Sequence, residues 1–554
     1  MRVKTLSKQF DGKKMSTTGV TMEMTKKGIG RIFATMLFAG LLAAALTMVG
    51  CAGNDASTES KASSASTEKT LHAGSTTYFY AESMDPASDW DSWYLSYYGI
   101  VENLCKVSDD LGPEPWLAKQ VERQDDRTWI VTLNDGIKFS NGKSVDANAV
   151  KTAWERTYAE NSRATEVLDY ESLEADGNTL TITTKEALPS LENTLCDPLL
   201  CVYYVGDDVN YAKSTPGTGP YVMKEFKAED HIVMVPNENY WNGTPKLSEV
   251  TLTCFADDNA ITMAMQNGEI QAVAMPSAST LTTLEASGDY QVSQRTNSRA
   301  DFIRMNMTHP LIQNDAIREA VAYCIDRNGY ADTICKGSST ASWGVYSPTL
   351  PFGGTDGLDV TVSSCDVDAA SKALEAAGIV DTDNDGVREL GGTPVELDLY
   401  TCTKYERFVQ LADDLQSKLA QAGIKLNIVP TDYFMEDAET FAKDDPDMAL
   451  DSYAMAPTGN PAYFANIAFA STSSNNFGKY SNPDVDALVA KLNTTFDESE
   501  RNTIAKQISQ KVLNDLPFVF FANSESTVVY DKNVSGLDAA PSEYYFVTVD
   551  TDVK

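Results

Sequence analysis

Short stretches of alternating apolar and polar residues recur along most of this chain. Residues 127–136 (RTWIVTLNDG) and 178–185 (NTLTITTK) alternate clearly, and the first stretch ends in an Asp-Gly turn. Residues 221–255 contain three such stretches separated by turn residues. The pattern predicts two strands, and then a hairpin followed by a further strand.

Between these strands the apolar residues follow the period of a helix. Residues 144–160 repeat large apolar side chains every four positions, which predicts a helix capped by Ser144 or Asp146. Residues 407–430 predict a helix that Gly423 stops and a strand that follows directly. Because helices and strands alternate through most of the 554 residues, we expect an α/β protein with more than one lobe.

The first fifty residues follow a different pattern. Eight basic and two acidic side chains precede an uncharged apolar run, Ile32–Gly50, which Cys51 follows. This order is typical of an export signal. A retained membrane anchor is the alternative, because about 18 apolar residues can span a bilayer. We expect a signal over residues 1–50 and, because the next residues lack apolar periodicity, a disordered tether over 51–70.

Charge and composition limit the partners of the exported part. The whole chain carries a formal net charge of −35, and the predicted signal is basic, so the remainder is more acidic still. Such a charge argues against nucleic-acid binding, which needs Lys and Arg to meet phosphates. With 42% hydrophobic residues, the chain has enough apolar side chains for a large core.

The nine cysteines leave the redox chemistry open. An exported protein can form disulfides, and Cys196 with Cys201 or Cys324 with Cys335 could pair. The alternative is that these side chains are buried free thiols that act as small apolar residues.

Catalytic motifs are weak in this sequence. The stretch GIKFSNGKS has five residues between its glycines, where a phosphate-binding P-loop needs four. The three histidines, His72, His231 and His309, are far apart in the sequence. We therefore expect neither acid–base catalysis nor a histidine-rich metal site, and we interpret the protein as a non-enzyme without a required cofactor.

The stretch DTDNDG is the best metal candidate. Asp381, Asp383 and Asp385 match the first half of an EF-hand loop, but Gly392 stands where the bidentate glutamate belongs. The sequence therefore leaves two possibilities for the 381–389 loop, a weak calcium site or a plain acidic turn.

Two groups of motifs resemble known proteins. Residues 48–51, MVGC, resemble the lipobox of bacterial lipoproteins, which implies lipid attachment at Cys51. The stretches MDPASD, EPWLAKQVERQDDRTWIVTLNDGIKFSNGKSVDANAVKTAW, GTGPY, NENYWNGTP, NDAIREAVAYCIDR and YSNPDVDALVAKL resemble, in family order, the family 5 extracytoplasmic solute-binding proteins. These are the peptide- and nickel-binding receptors of ABC importers.

The resemblance implies the type II, cluster C-like periplasmic-binding-protein fold, with two lobes joined by a hinge and an extra small subdomain. The implied domains, after the signal and the tether, are lobe I (residues 71–99, 218–297 and 525–554), its small subdomain (100–217) and lobe II (298–524).

The resemblance also implies where a ligand binds. The implied contact residues are Trp90, Trp93, Tyr94 and Arg163 from one side, with Trp343, Tyr453, Thr458 and Asn460 from the other. The aspartate by which peptide-binding relatives hold a free amine is missing between Tyr453 and Tyr463. The arginine and histidine by which the nickel-binding branch holds its ligand are missing too, because TLCDPLL has no arginine and no histidine follows Asn460.

The ligand class therefore stays open between a peptide-type ligand, a nickel or other metal chelate, and another small solute. A surface lipoprotein without a transport role is the alternative function. The implied partners are an ABC permease with its ATPase and the membrane that holds the lipid anchor. We expect a monomer on the extracytoplasmic side of the cell membrane.

Overall fold

The computed structural model describes residues 68–76, 81, 83–432, 441 and 443–554. The predicted signal peptide and Cys51 lie outside the described residues. Of the predicted tether only residues 68–70 are described, and Thr70 already belongs to the first strand. Among the described helices, none has the length and apolar character needed to cross a membrane.

In chain order the strands are β1 (Thr70–Ser75), β2 (Cys105–Val107), β3 (Pro113–Pro115), β4 (Ala118–Arg123), β5 (Thr128–Leu133), β6 (Tyr170–Asp176), β7 (Thr179–Thr184), β8 (Tyr221–Lys227), β9 (His231–Pro236), β10 (Glu249–Cys254), β11 (Ala272–Ala274), β12 (Tyr290–Met305), β13 (Ser339–Ala341), β14 (Glu389–Leu390), β15 (Thr393–Pro394), β16 (Glu396–Cys402), β17 (Lys425–Thr431), β18 (Met448–Ala454), β19 (Phe518–Asp531), β20 (Val534–Ser535) and β21 (Asp552–Val553).

The α-helices are α1 (Asp91–Tyr97), α2 (Ala147–Glu160), α3 (Ala164–Val167), α4 (Leu191–Thr194), α5 (Asp258–Gln266), α6 (Ala278–Ser287), α7 (Asp315–Tyr323), α8 (Arg327–Gly329), α9 (Val367–Ala376), α10 (Glu406–Ala422), α11 (Ala462–Phe464), α12 (Pro483–Leu492) and α13 (Glu498–Asp515). A 3₁₀ helix spans Pro198–Leu200, and π-helical turns span Tyr330–Ile334 and Ala465–Phe469.

A single large sheet connects the two lobes. Among the described residues it holds eleven strands in the order β17-β16-β18-β12-β19-β11-β1-β10-β9-β8, with β13 also paired to β19. Strands β12 and β19 are long, antiparallel and shared by both lobes. Their register breaks between Thr296 and Ala300, which marks the place where the sheet passes from one lobe to the other.

We call the half with β1 and β8 to β11 lobe I, and the half with β16 to β18 lobe II. A separate antiparallel sheet, β4-β5-β7-β6, forms the small subdomain together with α2. The exact domain boundaries stay a prediction.

Local sequence signals explain the elements that hold these lobes together. Helix α2 begins after Asp146, whose carboxylate accepts a hydrogen bond from the Ala149 N–H, and Trp154 is fully buried. Helix α10 ends at Gly423, whose φ of +84° suits a residue without a Cβ, and β17 follows. The predicted hairpin over residues 221–255 is also confirmed, as β8 and β9 with β10 beside them.

The predicted disulfide pairs are not formed. Cys196, Cys201, Cys324 and Cys335 are all free and buried. Each packs as a small apolar side chain in a hydrophobic core, and the Cys196 thiol donates to the Glu192 carbonyl at 3.4 Å. The structure therefore shows the free-thiol alternative for both pairs.

Candidate functional site

Trp90 and Arg163 contact each other where the residues before α1 meet the small subdomain, and we call this aromatic face the first wall. Trp90 precedes α1 and is 45% exposed, and the Arg163 guanidinium lies 3.3 Å from the centre of its ring. Arg163 also donates to the Asp89 carbonyl at 3.1 Å, which Asn161 binds as well. The cation–π contact and the hydrogen bond orient the guanidinium before any ligand arrives.

Trp93 and Tyr94 continue this wall along α1. Their rings stack with centroids 6.2 Å apart, and Trp93 also meets Tyr544 edge to face at 6.4 Å. The Trp93 indole N–H donates to the carbonyl of Glu543. The C-terminal segment therefore fixes the aromatic wall in place.

Tyr453 and Tyr463 form a second aromatic wall, on lobe II. Their rings stack with centroids 6.4 Å apart, and Tyr453 lies in β18 while Tyr463 lies in α11. Burial raises the pKa of Tyr453, and the positive charges of Arg163 and Arg299 oppose that shift. The charge of Arg163 also opposes the raised pKa of Tyr463, so the guanidinium lies within electrostatic range of both tyrosines.

Asp197 adds a carboxylate to the same space. It begins the 3₁₀ helix Pro198–Leu200 by accepting the Leu199 N–H at 2.9 Å. Burial raises the pKa of the Asp197 carboxyl, while the Leu199 N–H and the charge of Arg163 lower it. The negative charge of Asp197 also raises the pKa of Tyr463 and Tyr544, so its carboxylate lies within electrostatic range of both rings. We call Trp90, Trp93, Tyr94, Arg163, Asp197, Tyr453, Tyr463 and Tyr544 the candidate cleft.

Thr458 and Asn460 lie in a loop of lobe II that contacts the small subdomain. The Thr458 carbonyl accepts a hydrogen bond from Asn193 at 2.7 Å, and the Thr458 side chain is buried. The Asn460 carboxamide oxygen accepts from Arg501 at 2.9 Å and from the Ala462 N–H at 3.0 Å. Thr458 thus contacts the subdomain, whereas the Asn460 side chain joins its own loop to α13.

Trp343 lies apart from the candidate cleft. It lines a cavity of about 350 Å³ together with Ile325, Asp326, Arg327, Asn328, Ser364 and Cys365. The Arg327 guanidinium is 5.9 Å from its ring centre, and its buried indole N–H has no hydrogen-bond partner in the described part of the chain. None of the other predicted contact residues lines this cavity.

The hinge carries a partly buried ion pair. Arg299, at the register break of β12, binds both carboxylate oxygens of Glu543 at 2.9 and 2.7 Å. Arg299 also donates to the Ser452 carbonyl at 3.2 Å, and Asn297 donates to Glu543 at 3.2 Å. This bidentate pair links β12, β18 and the C-terminal segment where the lobes meet.

The sequence interpretation did not identify Asp197, Tyr463, Arg299 and Glu543. Asp197 stands in TLCDPLL, and Tyr463 closes the interval from Tyr453 in which the family resemblance had drawn attention to a missing aspartate. Arg299 and Glu543 have no motif of their own, because they are 244 positions apart in the chain and only the folded hinge joins them.

The acidic loop gains a ligand that the EF-hand pattern does not predict. Carboxylate oxygens of Asp381, Asp383, Asp385 and Glu389 all lie within 4.8 Å of one another. Glu389 is held by the Thr382 N–H and hydroxyl, both at 2.8 Å. The loop thus places Glu389 in the acidic cluster, although position 392 lacks the usual glutamate, and its oxygens suit calcium.

This chain is similar in sequence to a family of bacterial binding proteins. The sequence signature described as bacterial extracellular solute-binding proteins, family 5 (middle region), matches residues 112–476. The chain is 26% identical over 458 residues to the nickel-binding protein NikA of Staphylococcus aureus, which covers 82% of this chain and 89% of that protein. It is 24% identical over 479 residues to the glutathione-binding protein GsiB of Salmonella paratyphi A, over 84% of this chain and 89% of that one.

A solved structure agrees with the fold. The nickel ABC transporter structure from Bacillus halodurans matches with a TM-score of 0.75 and 27% identity, over 88% of this chain and 100% of that chain. The predicted two-lobed α/β fold is therefore confirmed.

Proposed function

We propose, from the premise that this chain belongs to the bacterial extracellular solute-binding proteins of family 5, that it captures a peptide-type solute and delivers it to an ABC permease. The observation that supports this ligand class is the position of Arg163, whose guanidinium is held over the Trp90 ring and lies within electrostatic range of Tyr453 and Tyr463. Binding and release, without turnover, are the expected activity.

The candidate cleft offers one group for each part of a small zwitterion. Arg163 is oriented by Trp90 and by the Asp89 carbonyl, so its guanidinium can pair with a ligand carboxylate in a bidentate manner. The Asp197 carboxylate is available for an ammonium group. The stacked rings on both walls suit apolar side chains between these two ends.

A nickel chelate is the second candidate, because NikA of S. aureus is named for nickel binding and aligns with most of this chain. Among the described residues no histidine lies in the candidate cleft: His72 is in β1, His231 is in β9 and His309 contacts Asp447. A metal would therefore have to arrive with its own organic ligands, whose carboxylates Arg163 could hold.

The lipid anchor belongs to the same proposal. Cys51 lies outside the described residues, and the lipobox-like MVGC supports its lipidation. A monomer tethered by Cys51 to the outer side of the cell membrane would stay close to its permease.

Identification of the bound solute tests the ligand class. Small molecules released from the purified protein are identified by mass spectrometry, and metals are measured in the same sample. A peptide without stoichiometric metal supports the first candidate, and nickel with an equivalent amount of an organic acid supports the second. Recovery of a neutral sugar would contradict both.

Arg163→Ala then tests the site. Loss of a charge-assisted hydrogen bond costs about 1.5–3 kcal/mol, so the Kd for the identified solute should rise roughly tenfold to a hundredfold. Lys213→Ala is the matched control, because Lys213 is an exposed cation of the same subdomain. Solute should also change the tryptophan fluorescence, and Trp90→Phe should reduce that change. Equal affinity of the Arg163 and Lys213 variants would place the ligand elsewhere.

A further inference from the structure

The cavity beside α8 contains a buried cation without a counter-ion. Arg327 lines this cavity of about 350 Å³, and its side chain is only 5% exposed. Its Nε donates to the Phe520 carbonyl at 2.9 Å, and its Nη1 donates to the Ala322 carbonyl at 3.3 Å. Within the described ranges of the chain, Nη2 has no hydrogen-bond partner and the guanidinium forms no ion pair.

A buried charge of this kind is unfavourable unless an opposite charge meets it. Burial lowers the pKa of Arg327 to about 10, and Cys365 opposes that shift. The guanidinium is still protonated at neutral pH, and in the described part of the protein its hydrogen-bond acceptors are two neutral carbonyls. An anion from solution would supply both a counter-charge and an acceptor for Nη2.

The Asp326 carboxylate lines the same cavity but is engaged elsewhere. Its Oδ1 accepts the Gly329 N–H at 2.8 Å, and its Oδ2 lies 3.7 Å from the Nζ of Lys418. Asp326 is not among the groups that shift the pKa of Arg327. Its charge therefore does not replace the missing counter-ion.

The remaining walls favour an organic anion over an inorganic one. Trp343 offers an aromatic face, and the Arg327 guanidinium lies 5.9 Å from its ring centre. Asn328 and Ser364 line the cavity and are exposed, so they lie at its opening. Small-molecule sites have volumes of roughly 300–1,000 Å³, so the cavity has room for a ring as well as for the anionic group.

We propose that this cavity is a second binding site, which takes a small, flat organic carboxylate. The carboxylate accepts hydrogen bonds from Arg327, and the apolar ring of the ligand lies against Trp343. None of the residues of the candidate cleft lines the cavity, so the two sites can be occupied independently.

The test uses 4-bromobenzoate as the probe and neutral 4-bromobenzamide as its isostere. The full chain carries Arg163→Ala, so that the candidate cleft cannot supply the carboxylate partner. Calorimetry should show millimolar or tighter binding of the benzoate and at least about tenfold weaker binding of the benzamide, which lacks the charge. In crystals soaked with the benzoate, the anomalous signal of bromine should lie in the cavity beside Trp343.

Two exposed serines provide a matched pair of variants. Ser364→Tyr should fill the opening and raise the Kd for 4-bromobenzoate at least about tenfold. Ser363→Tyr is the control, because Ser363 is exposed and does not line the cavity. Arg327→Gln should weaken binding as well, and the serine pair keeps the proposal testable if that variant fails to fold.

Four results would overturn the proposal. They are a bromine signal outside the cavity, equal Kd values for Ser364→Tyr and Ser363→Tyr, equal affinity for the benzoate and the benzamide, and a bromine signal in the crystal without binding heat in solution. The last result would mean binding at crystal concentration only.

Discussion

Gly459 lies where the lobe II loop contacts the small subdomain, and its replacement by alanine is expected to oppose lobe closure. Its φ is +73°, and a Cβ added there would lie 1.9 Å from the Leu111 carbonyl oxygen. The neighbouring Thr458 carbonyl accepts the Asn193 hydrogen bond at 2.7 Å. The overlap can be relieved only if the loop moves away from the subdomain, because both contacting groups at Leu111 are backbone atoms.

The expected change in Kd depends on whether each free-energy cost of the substitution applies to both the open and the closed state or to one of them. The left-handed conformation costs an alanine about 1–2 kcal/mol whether the lobes are open or closed, so it lowers stability but not affinity. We expect the overlap and the loss of the Asn193 bond to fall on the closed state alone, because both join the lobe II loop to the small subdomain. One such hydrogen bond contributes about 1 kcal/mol, so the Kd of Gly459→Ala should rise at least about fivefold.

Gly378→Ala is the matched control for this experiment. Gly378 has a φ of +75°, and an added Cβ would meet nothing within 4 Å. Both variants should lose similar free energy of unfolding in urea, while only Gly459→Ala should lose affinity in calorimetry with the identified solute. Small-angle scattering should also show a more open Gly459→Ala protein at equal solute concentration. Equal Kd values for the two variants would refute the assignment of this contact to the closed state.

Three further predictions concern the anchor, the acidic loop and a histidine. Cys51→Ser should move the protein from the detergent phase to the aqueous phase on detergent partitioning, and retention of both proteins in detergent would indicate a true membrane anchor. Calcium at millimolar concentration should raise the Tm slightly and Asp383→Asn should remove the effect, whereas a shift of several degrees at micromolar calcium would contradict a weak site. Burial lowers the pKa of His309, but contacts with Asp447 and Asp445 outweigh it and raise the pKa above 6.5. A group whose pKa is raised in the folded state stabilises the fold fully at pH values below its unfolded-state pKa. The free energy of unfolding should therefore fall as the pH rises from about 6.5 through the raised pKa of His309. His309→Gln should remove this pH dependence between pH 6 and 9 in urea unfolding experiments.

The parts of the fold that sequence predicts well are those with local causes. Helix α2 could be placed because its cap, Asp146, and its buried Trp154 lie within one short stretch. Helix α10 could be ended at Gly423 for the same reason, since a left-handed residue stops a helix wherever it occurs. Such signals act between neighbours in the chain, so the helix ends can be predicted without knowledge of the tertiary structure.

The parts that sequence did not predict depend on contacts between distant segments. Cys196 shares a hydrophobic core with the distant Cys105, because α4 and β2 pack together. Glu389 joins the acidic loop although the EF-hand pattern places its closing ligand three positions later. Ligand spacing in a sequence motif predicts a metal site only if the backbone follows the path of that motif. In this loop, contacts with the surrounding structure set the backbone path.

The arrangement around Arg163 supports the proposal that this side chain binds a solute carboxylate. The guanidinium is 3.3 Å from the Trp90 ring centre and bonded to the Asp89 carbonyl, so much of its freedom is already lost in the free protein. A ligand carboxylate therefore does not have to order a flexible side chain, which reduces the entropic cost of binding. Trp90 is still 45% exposed. The same ring can thus orient the arginine and contact the ligand. Trp90→Phe should therefore weaken the fluorescence response more than the affinity. Arg163→Ala should lower the affinity more than the stability of the fold.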